Sequence, residues 1–119
     1  MKIIFDGEYT DLNTYIKALN SNRHAGNAIK QDETERAWGD CLEQSIKPVK
    51  NYPVRIIFNW YSPNERKDID NCSFAKKYLL DGMVLAKVLK DDSRKYVCAF
   101  EDHFFIDKEN PRVEVEILS

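Results

Sequence analysis

The sequence predicts a single α+β domain over residues 1–119, with a small mixed β-sheet flanked by helices. Its length of 119 residues suits one domain with a modest core, and no repeat or linker divides the chain. Segments with alternating apolar residues are interleaved with segments of helical spacing. Their order is strand, short helix, long helix, strand, helix, strand, strand, which is typical of a sheet packed against helices.

The first part of the chain predicts one strand and two helices. Residues 2–5 are β-prone and stop at a turn signal, Asp6-Gly7. Residues 11–20 carry apolar side chains at helical spacing, and the polar segment 21–27 that follows them is a loop or a frayed helix start. A longer helix is expected over residues 28–47, because apolar residues recur there at four-residue steps until Pro48.

The middle of the chain predicts an inner strand, a loop and a third helix. Residues 53–61 present one fully apolar face, as an inner strand does. Residues 62–70 are almost entirely polar and predict a loop. A helix is expected from about Asn71 to Asp91, with a bend or break at Asp81-Gly82.

Two strands are expected to complete the sheet. The segment 95–107 contains alternating aromatic and small residues, and residues 112–118 alternate valine and isoleucine with charged residues. The two tryptophans, Trp38 and Trp60, lie on regular apolar faces of predicted elements, so we expect both in the core rather than on a DNA-binding surface.

Composition excludes several classes of protein. Three widely spaced cysteines without a C-x-x-C pair argue against a disulfide framework or a zinc ribbon. No apolar run approaches the roughly 20 residues that span a bilayer, and the start does not resemble a signal peptide, so a cytoplasmic protein with no membrane partner is expected. The net charge of −2 argues against a simple electrostatic DNA binder, but not against a nuclease that gathers carboxylates.

The sequence KDIDN, residues 67–71, permits two interpretations. Asp68 and Asp70 are one residue apart, so in an extended segment both carboxylates would face the same way and could bind one divalent ion. Alternatively, Asp70 or Asn71 occupies the N-cap position of the following helix. The helix start would also favour a nearby phosphate.

A second acidic pair, Asp91 and Asp92, follows about twenty residues later. A straight helix of that length would span about 30 Å and keep the two pairs apart. They can meet only if the helix breaks near Asp81-Gly82 or the chain returns from residue 83 onward. Lys77 lies two helical turns after Asp70, so both side chains project from nearly the same face of the helix. Lys77 could stabilise negative charge beside a carboxylate–metal site. Alternatively, it is an ordinary solvated residue on the helix surface.

The stretch KDIDNCSFAKKYLLDGMVLAKVLKDDSRKYV (67–97) resembles the RusA family of Holliday-junction resolvases, especially the RusA-like proteins of Gram-positive bacteria and their prophages. The shared pattern is a basic residue before D-x-D-N, a lysine-bearing helix with a D-G step, and a D-D pair before a strand. The opening segment DLNTYIKALNSNRHAGNAIK (11–30) is similar to the same branch.

The resemblance implies a site and an activity. Asp68, Asp70 and Asp92 match the aspartates that would bind Mg²⁺, for which Mn²⁺ could substitute, and Lys77 matches the essential lysine. Lys76 is the alternative lysine, while Asp91 and Asn71 would lie beside the metal ligands. The implied protein is a homodimeric endodeoxyribonuclease that cuts paired strands of branched DNA in recombination, DNA repair or phage DNA processing.

The expected chemistry is hydrolysis of a phosphodiester bond by metal-activated water, with Lys77 neutralising the charge that develops. Basic side chains would contact the DNA backbone rather than the bases. The candidates are Arg23, Lys30, Arg55, Arg66, Lys67 and Arg94. The alternative function is a non-catalytic DNA-binding or interaction protein of phage origin.

Overall fold

Four strands and four helices make up the chain, and the computed structural model describes all of residues 1–119. The strands are β1 (Lys2–Asp6), β2 (Val54–Ser62), β3 (Val97–Ile106) and β4 (Arg112–Leu118). The helices are α1 (Leu12–Ser21), α2 (Arg23–Glu43), α3 (Ile69–Ser73) and α4 (Lys76–Leu85). The predicted α+β class is confirmed.

The four strands form one mixed sheet in the order β1-β4-β2-β3. β2 and β3 run parallel, whereas β4 is antiparallel to both β1 and β2. The inner strands β2 and β4 bury alternate apolar residues, as the period of two predicts, and β4 also buries Glu114. The buried residues of this face pack with α2 and α4 in one apolar core, and the sheet's opposite face carries charged residues.

The core joins the sheet to the two central helices. Phe58 and Trp60 of β2 are buried together with Tyr78 and Met83 of α4, so the core position predicted for Trp60 is confirmed. Trp38 was placed wrongly, because its side chain is 39% exposed while its neighbour Ala37 is fully buried. Two adjacent faces of α2 both carry residues at four-residue spacing. The face with the small residues Ala37 and Cys41 is buried, whereas the face with Trp38 and Leu42 is exposed.

The boundaries of α2 differ from the prediction at both ends. The helix begins at Arg23, because the Asn22 side chain accepts a hydrogen bond from the Ala25 amide (2.8 Å) and caps it. Of the two alternatives predicted for the segment around Gly26, a loop or a helix start, the structure has the helix start. The helix ends at Glu43 and not at residue 47, and Ser45 adopts a left-handed conformation with φ of 54°.

The third predicted helix is interrupted at a different point from the one expected. The break lies at Phe74–Ala75, between α3 and α4, whereas Asp81 and Gly82 continue α4. Gly82 is buried where α4 crosses α2, so the glycine serves close helix packing. The chain reverses only after Leu85, where Lys87 has φ of 62°. None of the four helices has the length and apolar character needed to cross a membrane.

Candidate functional site

The KDIDN segment begins α3 at the end of the loop that follows β2. Asp68 occupies the N-cap position with an extended backbone (φ −65°, ψ 154°), and Asp70 lies in the first turn. The N-cap is therefore Asp68 and not Asp70 or Asn71, and the helix begins about two residues earlier than predicted. The Asp68 side chain makes no capping hydrogen bond, so its carboxylate does not satisfy the helix start. Both aspartates are exposed and have no salt-bridge partner.

The residues on either side of these aspartates are tied to α1. Lys67 Nζ lies 2.8 Å from Asp11 Oδ2, and Asp11 also caps α1 by accepting a hydrogen bond from the Thr14 amide (2.8 Å). On the other side, the Asn13 amide donates to Asn71 Oδ1 at 2.9 Å. The backbone that carries Asp68 and Asp70 is therefore fixed from both sides, while the two carboxylates stay free.

The ion pair between Lys67 and Asp11 is partly buried. A hydrogen bond from its ammonium group to Asp11, opposed by desolvation, raises the pKa of Lys67 above its usual value. Burial acts to raise the pKa of Asp11, but hydrogen bonds from Lys67 and Thr14 outweigh it and lower that pKa. Lys67, one of the predicted DNA-contacting residues, thus pairs with acidic residues of its own chain. Its second acidic neighbour is Glu8, whose Oε1 lies 3.9 Å from Lys67 Nζ.

An open groove of about 550 Å³ lies beside Asp68, at the carboxyl ends of the parallel strands β2 and β3. Apolar and polar side chains both line it. Ile69 and Ile106 at its rim are 61% and 52% exposed, which is unusual for isoleucine. The groove could therefore accept a ligand with both polar and apolar groups next to the free Asp68 carboxylate.

A second cluster forms on α4, where the chain returns after its reversal. Lys77 Nζ lies 3.1 Å from Asp81 Oδ1 and 3.4 Å from Asp92 Oδ2. The hydrogen bond to Asp81, followed by the charges of both aspartates, raises the pKa of Lys77. The structure therefore brings together two of the predicted residues, Lys77 and Asp92, by a return of the chain and not by a break at Asp81-Gly82.

Sequence reasoning missed Asp102, which forms a third polar cluster with Lys76 and Trp60. Lys76 Nζ lies 2.7 Å from Asp102 Oδ2, and the indole of Trp60 donates to Asp102 Oδ1 at 2.8 Å. The Lys76 ammonium also lies over the Phe100 ring, 4.6 Å from its centroid. Asp102 lies between Phe100 and Phe104 on the same face of the strand. An acidic residue among apolar residues on one face is the sequence signal that could have indicated this cluster.

The three predicted metal ligands do not form one group. The chain contains no cluster of three or more histidine, cysteine, aspartate or glutamate side chains that could hold a metal ion. Asp92 is bonded to Lys77, whereas Asp68 and Asp70 are free. The prediction that both carboxylates face one way assumed an extended segment, whereas Asp70 lies in the first turn of α3. Two carboxylates completed by water and substrate phosphate are an ordinary ligand set for Mg²⁺, so Asp68 and Asp70 supply suitable donor atoms for that ion.

The remaining predicted residues are distributed over the surface. Arg23 lies at the start of α2, Lys30 on the same helix, Arg66 in the loop before Asp68, and Arg94 after the acidic pair. All four are exposed and form no salt bridge, and the same is true of Arg55 on β2. Asp91 is half-buried beside Asp92.

A scan against protein-family models finds no match to this chain, and a search of curated proteins finds none either. The resemblance to RusA-like nucleases therefore rests on the D-x-D-N, lysine and D-D pattern itself. The family and its activity stay a prediction, which the geometry of these residues can be used to test.

Proposed function

We propose that the protein is a magnesium-dependent endodeoxyribonuclease that cuts branched DNA, with four-way junctions as its substrate. This proposal rests on the anchored backbone and unpaired carboxylates of Asp68 and Asp70. Their backbone is anchored on both sides by Lys67 and Asn71, yet neither carboxylate has a salt-bridge partner. Fixed and unpaired acids are what a hard divalent cation requires, since an ion pair would have to be broken first.

The chain's residues divide the work of such a site. Asp68 and Asp70 would hold Mg²⁺, or Mn²⁺ in its place, which when bound polarises the phosphate and lowers the pKa of water. Lys77 supplies a positive charge that would stabilise the charge developing on the phosphate. Its present partners are Asp81 and Asp92, so Asp92 would have to release Lys77 and also approach Asp68 and Asp70 before it could join as a third ligand.

Unpaired basic residues support DNA as the substrate. Arg66 lies two positions before Asp68, and Arg94 two positions after Asp92. Because both are exposed and free of salt bridges, each can contact a phosphate without breaking an ion pair. The same holds for Arg23 and Lys30 on α2, whereas Lys67 would have to give up Asp11.

A non-catalytic DNA-binding or interaction protein is the second candidate. Two observations favour it: the three aspartates are not grouped, and the groove beside Asp68 has exposed apolar residues at its rim. An exposed apolar rim is typical of a surface that binds another molecule. This candidate predicts binding without cleavage, which separates it cleanly from the first.

The test is incubation of the purified chain with a synthetic four-way junction and Mg²⁺. We expect cleavage products with 5′-phosphate ends, inhibition by a chelator, and much slower cleavage of a linear duplex of the same sequence. Junction binding with no cleavage in Mg²⁺ or Mn²⁺ would establish the second candidate instead. Absence of both binding and cleavage would reject the nuclease and the DNA-binding protein, and would leave an interaction protein that does not bind DNA.

Two lysine substitutions separate the roles of the neighbouring lysines. Lys77→Met should lower the cleavage rate by about 100-fold, because a charge that stabilises the transition state is lost. It should change stability little, since the Lys77 side chain is 51% exposed. Lys76→Met should instead lower the free energy of unfolding by about 1–3 kcal/mol, because Asp102 is left without its cation.

The lysine comparison uses junction cleavage and urea unfolding measured on the same preparations. For Lys76→Met, the cleavage rate per folded molecule should remain close to that of the unsubstituted chain. A folded Lys76→Met variant without activity, beside a fully active Lys77→Met variant, would transfer the catalytic role to Lys76.

A further inference from the structure

The sheet has two edge strands, and the chain covers only one of them. On β1, the Gln44 side chain accepts a hydrogen bond from the Ile4 amide (2.9 Å) and donates one to the Ile4 carbonyl (2.7 Å). The Asp6 amide donates to Asp40 at 3.1 Å. Side chains of α2 and of its C-cap residue Gln44 thus occupy outer backbone groups of β1, which is a common way to prevent edge pairing.

The other edge strand, β3, has no such cover. It is ten residues long, and from Ala99 onward its backbone hydrogen bonds go to β2 alone, while the Val97 amide donates to the Ser93 carbonyl. Phe100, Phe105 and Ile106 are 47%, 44% and 52% exposed. A long edge strand with free N–H and C=O groups and exposed large apolar residues is a template for a further strand.

We propose that β3 pairs antiparallel with β3 of a second copy of this chain, about a two-fold axis at Asp102. The backbone direction supports this centre. The Asp107 amide donates to the Ser62 carbonyl of β2 (2.8 Å), so the backbone groups of odd-numbered residues from Ala99 onward face β2. The N–H and C=O groups of Phe100, Asp102 and Phe104 therefore point outward, where they can bond a partner strand.

The pattern of charges selects this register. With the axis at Asp102, Glu101 lies opposite His103 of the partner subunit. By symmetry, His103 lies opposite Glu101 of the partner subunit, so this pair occurs twice. Within one chain these side chains already attract each other, with His103 Nε2 2.8 Å from Glu101 Oε2. An axis at Glu101 would place two glutamates opposite each other, and an axis at His103 would leave Glu101 opposite Phe105 of the partner subunit.

Aromatic pairing favours the same register on the helix-covered face. Phe100 lies opposite Phe104 of the partner subunit, and such pairs stabilise antiparallel strands. Asp102 meets Asp102 of the partner subunit at the axis, which by itself would be repulsive. However, each Asp102 is already bonded to Lys76 and Trp60 of its own chain, so its charge is compensated.

The first test is the oligomeric state of the chain without DNA or metal, so it does not depend on the proposed nuclease activity. Sedimentation velocity should show a dimer at micromolar concentration. His103→Glu should weaken dimerisation at least tenfold by placing glutamates opposite each other, and Glu101→Lys combined with His103→Glu should restore it. A wild-type monomer across the concentration range, or a His103→Glu dimer of unchanged affinity, would overturn the proposal.

The second test reads the register directly by disulfide formation in a Cys98→Ser background. Directly opposite residues at a non-hydrogen-bonded position are about 4.5 Å apart between Cα atoms, within reach of a disulfide. A mixture of the Glu101→Cys and His103→Cys chains should form a covalent heterodimer on mild oxidation, whereas neither chain alone should cross-link efficiently. Efficient cross-linking of either chain alone, or none in the mixture, would reject the register.

Discussion

Asp70→Asn is expected to lower junction cleavage by about 100-fold or more while leaving the fold intact. Asn keeps the size and shape of the side chain but removes the negative charge that a divalent cation binds. Because Asp70 is exposed and has no salt bridge, the free energy of unfolding should change by less than about 0.5 kcal/mol. Cleavage assays and urea denaturation of the same variant provide both measurements.

The matched control for this variant is Asp32→Asn. Asp32 is also an exposed helical aspartate without a salt bridge, but it lies on α2 and not beside Asp68. It should retain full activity and unfold like the unsubstituted chain. Cleavage by Asp70→Asn at the rate of this control would remove Asp70 from the proposed site. A calorimetric Mg²⁺ titration of both variants should show the loss of affinity in Asp70→Asn alone.

Gly82→Ala is expected to destabilise the protein by about 2 kcal/mol, which corresponds to a fall in Tm of roughly 10 °C. A Cβ atom on Gly82 would lie 2.5 Å from the Ala37 Cβ and 2.9 Å from the Trp38 amide nitrogen. Because one neighbour is backbone and the other is a short buried side chain, neither can rotate away. α2 and α4 would therefore have to separate, which opens the core that both helices share.

Gly39→Ala provides the control, since it makes the same chemical change in α2. A Cβ on Gly39 has no neighbour within 4 Å, so only the helix propensity changes. This variant should be more stable by up to about 1 kcal/mol. Thermal unfolding followed by circular dichroism compares the two. If Gly82→Ala were as stable as Gly39→Ala, the close crossing of α2 and α4 would be wrong.

The sequence predicted the elements well because apolar periodicity is a local property. All four strands begin and end within a few residues of their predicted positions, and the mixed sheet follows from their order. Helix ends were less predictable, since they depend on single contacts. Because Asn22 caps α2, this helix begins at Arg23, earlier than predicted. Gly82 was expected to bend or break a helix, but it lies inside α4.

The candidate site was only partly predictable, because it depends on how the chain returns after Leu85. The pairing of Lys77 with Asp92 joins residues 15 positions apart, and helix geometry alone did not determine it. Asp102 was missed because its partners, Lys76 and Trp60, come from two other elements. Nothing in the local sequence of β3 indicates which helix will cover it, so this contact follows only from the tertiary structure.

The ties between α1 and the KDIDN segment link the proposed site to a helix at the periphery of the fold. None of the residues of α1 is buried, so this helix can open at a smaller free energy than the core helices do. When α1 opens, the hydrogen bond from Asn13 to Asn71 and the support of Lys67 by Asp11 weaken together. We therefore expect local unfolding of α1 to loosen the two free carboxylates at a smaller free energy than global unfolding of the domain requires.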